Sequence, residues 1–260
     1  MPAIKQPLLS GCLSIALLAI IAILLTACSD DPNQGASSGE DSPTSSPTSS
    51  PSGDLVQATR LADVAADTAL TPGRYAMGFS SDQSDAPMAL IDVPAGYRGG
   101  GDGYEIGAED DDGSGFRHFD SWTVAEVAEQ PCGDTAWVDP GPSVDNLADA
   151  LAALPVWEST QPAPRTIGGH EGVFMELNVP ADIPAKCQDE PLSWRDHLGG
   201  TQGIGPGKTQ HLWIVDVDGH RLMFVAGYFP GPEGPTPRQI DEMTQMAEGA
   251  TFIDADQVAP

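Results

Sequence analysis

The chain has 260 residues, of which 11 are Lys or Arg and 38 are Asp or Glu, for a formal net charge of −27. So acidic a chain repels phosphate backbones and anionic headgroups, which excludes nucleic acid as a partner. It leaves attraction of cations, attraction of basic partners, or plain solubility as readings of the charge.

Composition changes twice along the chain. Residues 1–27 carry one charge, Lys5, then an apolar run from Ile15 to Leu25 that ends in Leu25-Thr26-Ala27-Cys28. This is the layout of a secretory signal peptide. Its close resembles the lipobox of bacterial lipoproteins, which implies cleavage before Cys28, diacylglycerol on the Cys28 sulfur and further acylation such as palmitate. The competing reading is an uncleaved apolar anchor, since Leu8 to Ala27 would nearly span a bilayer. Either reading puts the rest of the chain on the extracytoplasmic face of the cell membrane. Residues 28–54 are rich in Ser, Pro and Thr and contain no aromatic residue. Nothing there offsets the entropy of ordering, so the segment is predicted to be a disordered tether. Its Ser/Thr-Pro content also suits O-glycosylation.

Residues 55–260 have globular composition and are long enough for one substantial core, or for two sub-halves meeting near residue 130. Gly73 to Phe79, Met88 to Val93, Tyr104 to Ala108 and Phe116 to Val127 are the first strand candidates. Ser143 is placed to cap a helix with Val144, Leu147, Ala148, Leu151 and Leu154 on one face, stopped by Pro155. After the turn Gly168-Gly169, the segment Val173 to Val179 reads as a strand ending at Pro180. His211 to Val217 and His220 to Tyr228 flank Asp218-Gly219 and read as a hairpin. Thr236 and Pro237 open a second helix, with Ile240, Met243 and Ala247 on one face and Gly249 at its end. Thr251 to Ile253 closes the chain as a strand. Helices that punctuate rather than alternate with strands predict an α+β fold, an antiparallel sheet with one helix near the middle and one at the C-terminus. A single apolar cluster is expected to contain Val173, either Phe174 or Met175, Leu177, Trp213, Val215, Leu222, Phe224, Ile240, Met243 and Phe252.

Beyond Cys28 the chain has two cysteines, Cys132 and Cys187. An even pair in an exported domain argues for a disulfide, which on the chain-entropy model stabilises by about 4 kcal/mol. A catalytic thiol is the alternative, although no redox Cys-x-x-Cys spacing occurs.

Other motifs weigh against defined chemistry. Gly99 to Gly107 is glycine-rich, but Tyr104-Glu105-Ile106 continues as strand and no Lys follows, so a phosphate loop is not indicated. Glu109-Asp110-Asp111-Asp112 offers hard oxygen ligands, yet an EF-hand register puts Ala108 and Phe119 at ligand positions. A surface cation site at that turn and an ordinary solvated turn both stay open. Asp216-Val217-Asp218-Gly219 fails in the same way, with Ile214 where a ligand is needed. The histidines His118, His170, His197, His211 and His220 show no zinc spacing. His170-Glu171, beside the glycine turn, reads as exposed. Within residues 55–260 neither Gly-x-Ser-x-Gly nor Ser-x-x-Lys occurs. Trp137 and Trp194, each near a cysteine of the pair, suit either packing over the bridge or a sugar- or lipid-binding platform.

Ile167-Gly168-Gly169-His170-Glu171-Gly172, the segment Trp213 to Arg221, Leu70 to Tyr75 and Val93 to Tyr97 together resemble uncharacterised actinobacterial lipoproteins. More distantly, the strand–helix–strand ending is similar to Mog1/PsbP-like lipoproteins, which implies an accessory or binding role and carries over no catalytic residue. The expected function is a lipid-anchored domain that binds a partner protein or small ligand, with no cofactor, metal or catalytic residue assigned. The alternative is a secreted-side hydrolase using His118 or His170 as base.

Overall fold

Alternating and continuous apolar runs outnumber helical ones in the computed structural model, which describes residues 55–80, 86–109, 115–187, 191–229 and 235–259. The leader, Cys28, the tether and Asp110 to Asp112 lie outside the described residues. In chain order the first half contains β1 (Thr59–Arg60), β2 (Gly73–Met77), β3 (Met88–Val93), β4 (Arg98–Gly99), β5 (Glu105–Glu109), β6 (Phe116–Trp122), β7 (Val124–Gln130) and β8 (Ala136–Val138). Then follow α1 (Val144–Ala152), β9 (Glu158–Ser159), β10 (Ala163–Ile167), β11 (His170–Asn178), β12 (Leu192–Asp196) and β13 (Thr201–Gly203). The chain closes with β14 (Thr209–Val217), β15 (His220–Phe229), α2 (Pro237–Glu248) and β16 (Thr251–Ile253).

The α+β expectation is corrected. Among the described residues sixteen strands form three sheets beside two α-helices, with 47% strand against 16% helix, so the fold is β-rich. The physical reason is length: β1, β4, β8, β9 and β13 have two or three residues each, too few to display a period of two in sequence.

The large sheet runs β10–β11–β14–β15–β6–β5–β4, with β9 also paired to β11, and is antiparallel throughout. Its middle strands are apolar on both faces. Trp213, Val215, Leu222 and Phe224 join α2 residues Met243, Met246 and Ala247 and the β2–β3 residues Tyr75, Met77 and Ile91 in one cluster. Leu212, Ile214, Met223 and Val225 point the other way, to α1 residues Leu147 and Leu151 and to Trp122, Val127 and Trp194. The sheet is therefore covered twice, by α2 with the sheet β1–β2–β3–β16 and by α1 with the sheet β13–β12–β7–β8. This also corrects the single-cluster expectation. Met175 and Leu177 belong to the α1 side, with Val173 at its margin, whereas Phe174, Ile240 and Phe252 border the α2 side.

Local signals set the frame. Both helices carry the capping boxes their sequences allow, Ser143 with Asn146 and Thr236 with Gln239. The β14–β15 hairpin turns through Asp218 at φ 52° and Gly219 at φ 87°, and the Asp216 carboxylate accepts the Gly219 N–H at 3.0 Å. Cys132 and Cys187 are joined by a disulfide with Cα atoms 4.8 Å apart, a little closer than the usual spacing. Cys187 and the fully buried Trp194 share the α1-side cluster, while Trp137 lies beneath the Arg195 guanidinium at 5.0 Å.

Candidate functional site

β6 reads Phe-Arg-His-Phe-Asp-Ser-Trp, and its alternation decides where polar groups go. Phe119 packs into the α2-side cluster and Trp122 into the other, so His118, Asp120 and Trp122 share the face that α1 and the small sheet cover. After Thr123 the chain leaves the large sheet and continues as β7 in the small one, which places Trp122 at the junction between them. β5 pairs with β6 so that Glu105 stands opposite Asp120 and Gly107 opposite His118.

Three aromatic rings meet at this junction. Tyr104 and Trp122 have centroids 6.1 Å apart at 63°, and Trp122 and Trp194 are again 6.1 Å apart, at 81°. Tyr104 and Glu105 are half-buried and Asp102 is exposed, whereas Asp120 and Trp122 are 5% and 6% exposed. The Tyr104 carbonyl accepts the Ser121 backbone N–H at 3.0 Å, which fixes Tyr104 to β6.

His118 stands beside Asp120, with Nε2 3.4 Å from Oδ2. Its ring lies among Phe116 and Phe229, at 6.1 and 5.2 Å between centroids. Lys208 Nζ sits over the Phe229 ring at 3.9 Å. Burial, with the Lys208 charge adding to it, pushes the imidazole down to about 4. Burial also raises the Asp120 carboxyl well above the usual carboxylate range; the charge of Glu105 adds to this and the Trp122 indole opposes it. Glu105 is raised by burial and then by Asp102. Tyr104 is raised by burial and then by the charges of Asp102, Glu105, Asp196 and Asp120. Buried polar atoms on this side that lack a hydrogen bond of good geometry include His118 Nε2, Asp120 Oδ1, Trp122 Nε1, Trp194 Nε1 and Gln210 Oε1, although the Trp122 indole stands close enough to Asp120 to favour its charged form.

A second polar group lies on the opposite face, against α2. His211 Nε2 is 3.7 Å from Glu176 Oε1, and its ring is 5.0 Å from that of Tyr228. Burial lowers the His211 imidazole, against the pull of Glu176, and burial raises the Tyr228 phenol. Arg117 donates to the Tyr97 hydroxyl at 3.3 Å and lies 3.9 Å from Glu242, tying β6 to α2. An open groove also runs between the first turn of α1 and the β10–β11 hairpin, with Val144 and Val173 flanked by Asp145, Arg165 and Glu171.

The sequence-derived candidates are dispersed by the fold. His118 reaches a carboxylate as expected of it, but as a buried pair. His170 and Glu171 open β11 rather than forming a turn, with the His170 ring 5.4 Å from Phe252. Asp216 is occupied by its own turn. Among the described residues no three His, Cys, Asp or Glu side chains converge as a metal site. Sequence reasoning missed Tyr104, Glu105, Asp120 and Trp122. The signal was present in β6, where His118, Asp120 and Trp122 recur at every second position of the strand, with Phe119 between the first two.

No family model and no curated protein matches the chain. Among solved structures, LpqN of Mycobacterium tuberculosis, described as involved in cell envelope biogenesis, is similar at 12% identity and a TM-score of 0.33. The overlap covers 70% of this chain and 89% of LpqN, and at that score it carries no argument about function.

Proposed function

We propose that the chain is a lipid-anchored extracytoplasmic domain, held to the membrane through Cys28, that binds a small ligand at the Tyr104–Glu105–Asp120–Trp122 junction. The observation that carries the binding reading is the set of buried polar atoms left without partners there. Each such group costs about 1–3 kcal/mol of desolvation that no bond in the fold recovers. Departures from local rules of this kind concentrate where a protein works rather than where it merely folds. The address rests on the Leu25-Thr26-Ala27-Cys28 sequence and on the Cys132–Cys187 disulfide, a bond that persists in oxidising compartments.

Binding suits this geometry better than hydrolysis. A general base must reach a substrate proton, and a hydrolase needs a nucleophile within reach of that base. His118 is instead enclosed by two phenylalanine rings, the Asp120 carboxyl and the backbone of Gly227.

The test is Asp120→Leu, which replaces the unpartnered carboxyl with an apolar group of similar volume. A ligand site maintained at the expense of stability gives a variant as stable as the parent or more so, and one that no longer shows ligand-induced thermal shifts in a small-molecule screen. Loss of stability with shifts retained would reject the assignment.

A further inference from the structure

Glu105 and Asp120 are direct cross-strand neighbours on one face of the sheet. Like charges in that position, with Cβ atoms about 5 Å apart, destabilise a sheet. Here Asp120 is 5% exposed and its Oδ1 accepts no hydrogen bond of good geometry, with the Trp122 indole the polar group beside the carboxyl. Asp102 and Asp196 add their charges to the field at Tyr104. Among the described residues no Lys or Arg forms an ion pair with either carboxylate. Arg74 pairs with Asp92, Arg117 with Glu242, Arg165 with Glu248 and Arg195 with Glu126. The base beside Asp120, His118, is held toward its uncharged form by burial and by the charge of Lys208, which sits over the neighbouring Phe229 ring.

The side chains beside these two acids are aromatic. Tyr104, Trp122 and Trp194 meet in two successive near-perpendicular contacts, the arrangement of a corner rather than a stack. Carboxylate acceptors beside ring faces are what an organic ammonium group needs. Its N–H groups donate to the carboxylates and its charge rests against the rings. Other ligand classes fit less well. An anion is repelled by the acidic groups Asp102, Glu105 and Asp196 around the junction. A neutral polyol could meet the indole N–H groups, but it brings no charge to pair with Glu105 or to favour the ionised form of Asp120. No three-ligand set for a metal ion converges here among the described residues.

We propose that the Tyr104–Glu105–Asp120–Trp122 junction binds the primary ammonium group of a small organic amine. Asp120 and Glu105 accept its N–H groups, and Tyr104 and Trp122 face its charge. The inference rests on reading this junction as a ligand site, and the experiment separates the two.

The full-length chain in detergent micelles is titrated with propylammonium chloride at ionic strength held constant with NaCl, and separately with 1-propanol, its neutral isostere. Tryptophan fluorescence reports on Trp122 and Trp194, and circular dichroism checks that each variant is folded. The expected result is a saturable change with propylammonium and none with 1-propanol. Asp120→Asn should abolish saturation. Glu105→Gln, at a half-buried position that tolerates the change if Asp120→Asn does not fold, should weaken binding at least tenfold. Equal saturable binding of both probes would overturn the ammonium assignment while leaving the junction a ligand site. Propylammonium binding unchanged in both variants would place the site elsewhere and overturn both readings. No saturable response to propylammonium would also overturn the proposal.

Discussion

The imidazole of His118 fills the space where a side chain on Gly227 would stand: a Cβ built at Gly227 falls 2.1 Å from both Cε1 and Nε2 of that ring. Gly227 sits between Gln210 and His118 in the cross-strand register, so the missing side chain is what lets the Cε1–Nε2 edge of the ring reach over β15. Gly227→Ala should therefore destabilise the fold by about 1–3 kcal/mol through overpacking. His118→Ala makes room for the new methyl, so the double variant should cost clearly less than the sum of the two single ones. Urea unfolding of the four proteins gives the coupling. Strict additivity would show that the two positions are not in contact.

The pair His118–Asp120 makes a prediction about pH with two opposite signs. The unfolded imidazole titrates near 6.5 and the folded one at about 4, so His118 alone contributes stability that is complete above 6.5 and is lost as pH falls toward 4. Asp120 is raised above its ordinary 3.8, so its contribution is complete below 3.8 and is lost as pH rises through the window above it. Between about 4 and 6.5 the two contributions have opposite signs: burial favours the proton on Asp120 in the folded protein and disfavours the one that His118 holds in the unfolded chain. Relative to the parent, Asp120→Asn should lose stability on acidification across this window, by at most about 1.4 kcal/mol per pH unit. His118→Gln should lose it on alkalinisation instead. Slopes of the same sign in both variants would contradict the buried neutral pair.

What could be read from the sequence divides by the range of the interaction. The β14–β15 hairpin was legible because Asp218-Gly219 fixes a turn locally and the flanking runs are long. Both helices were legible because Ser143 and Thr236 announce their caps. The small sheet was not: Ala136 to Val138 and Thr201 to Gly203 are too short to show alternation, and register shifts interrupt β7 and β12 where they pair. The apolar runs of β14 and β15 implied burial without showing that two separate layers supply it. The junction escaped for the same reason. Glu105 and Asp120 become neighbours only through β5–β6 pairing, and Trp194 joins Trp122 from a sheet that was not foreseen.

The disulfide closes a loop that contains α1, and Cys187 packs in the same cluster as Leu147 and Leu151. Reduction should remove about 4 kcal/mol and lower the melting temperature by roughly 10 °C. Hydrogen exchange should quicken in α1 before α2. Alkylation of Cys132 and Cys187 in denaturant without reductant should be negligible. Quantitative labelling would show that the bond is absent.

Arg221 fastens the entrance of α1 to the hairpin. Its guanidinium donates to the Gly141 carbonyl and, at 2.7 Å, to the Val124 carbonyl. Arg221→Met keeps the aliphatic stem but leaves both carbonyls without a donor, so it should cost about 2–4 kcal/mol. A loss under 0.5 kcal/mol in chemical denaturation would show that water replaces the guanidinium at little expense.

The claim that the Tyr104–Glu105–Asp120–Trp122 junction is an ammonium site is tested most directly by the proton balance of binding. An ammonium group favours the charged form of Asp120, so it should displace the proton that burial retains there. Calorimetric titration of the full chain with propylammonium at pH 6, in two buffers of different ionisation enthalpy, measures that release. The account expects a fraction of one proton released per amine bound, vanishing in Asp120→Asn. Binding with no proton released, or with the same release in the Asp120→Asn variant, would contradict it.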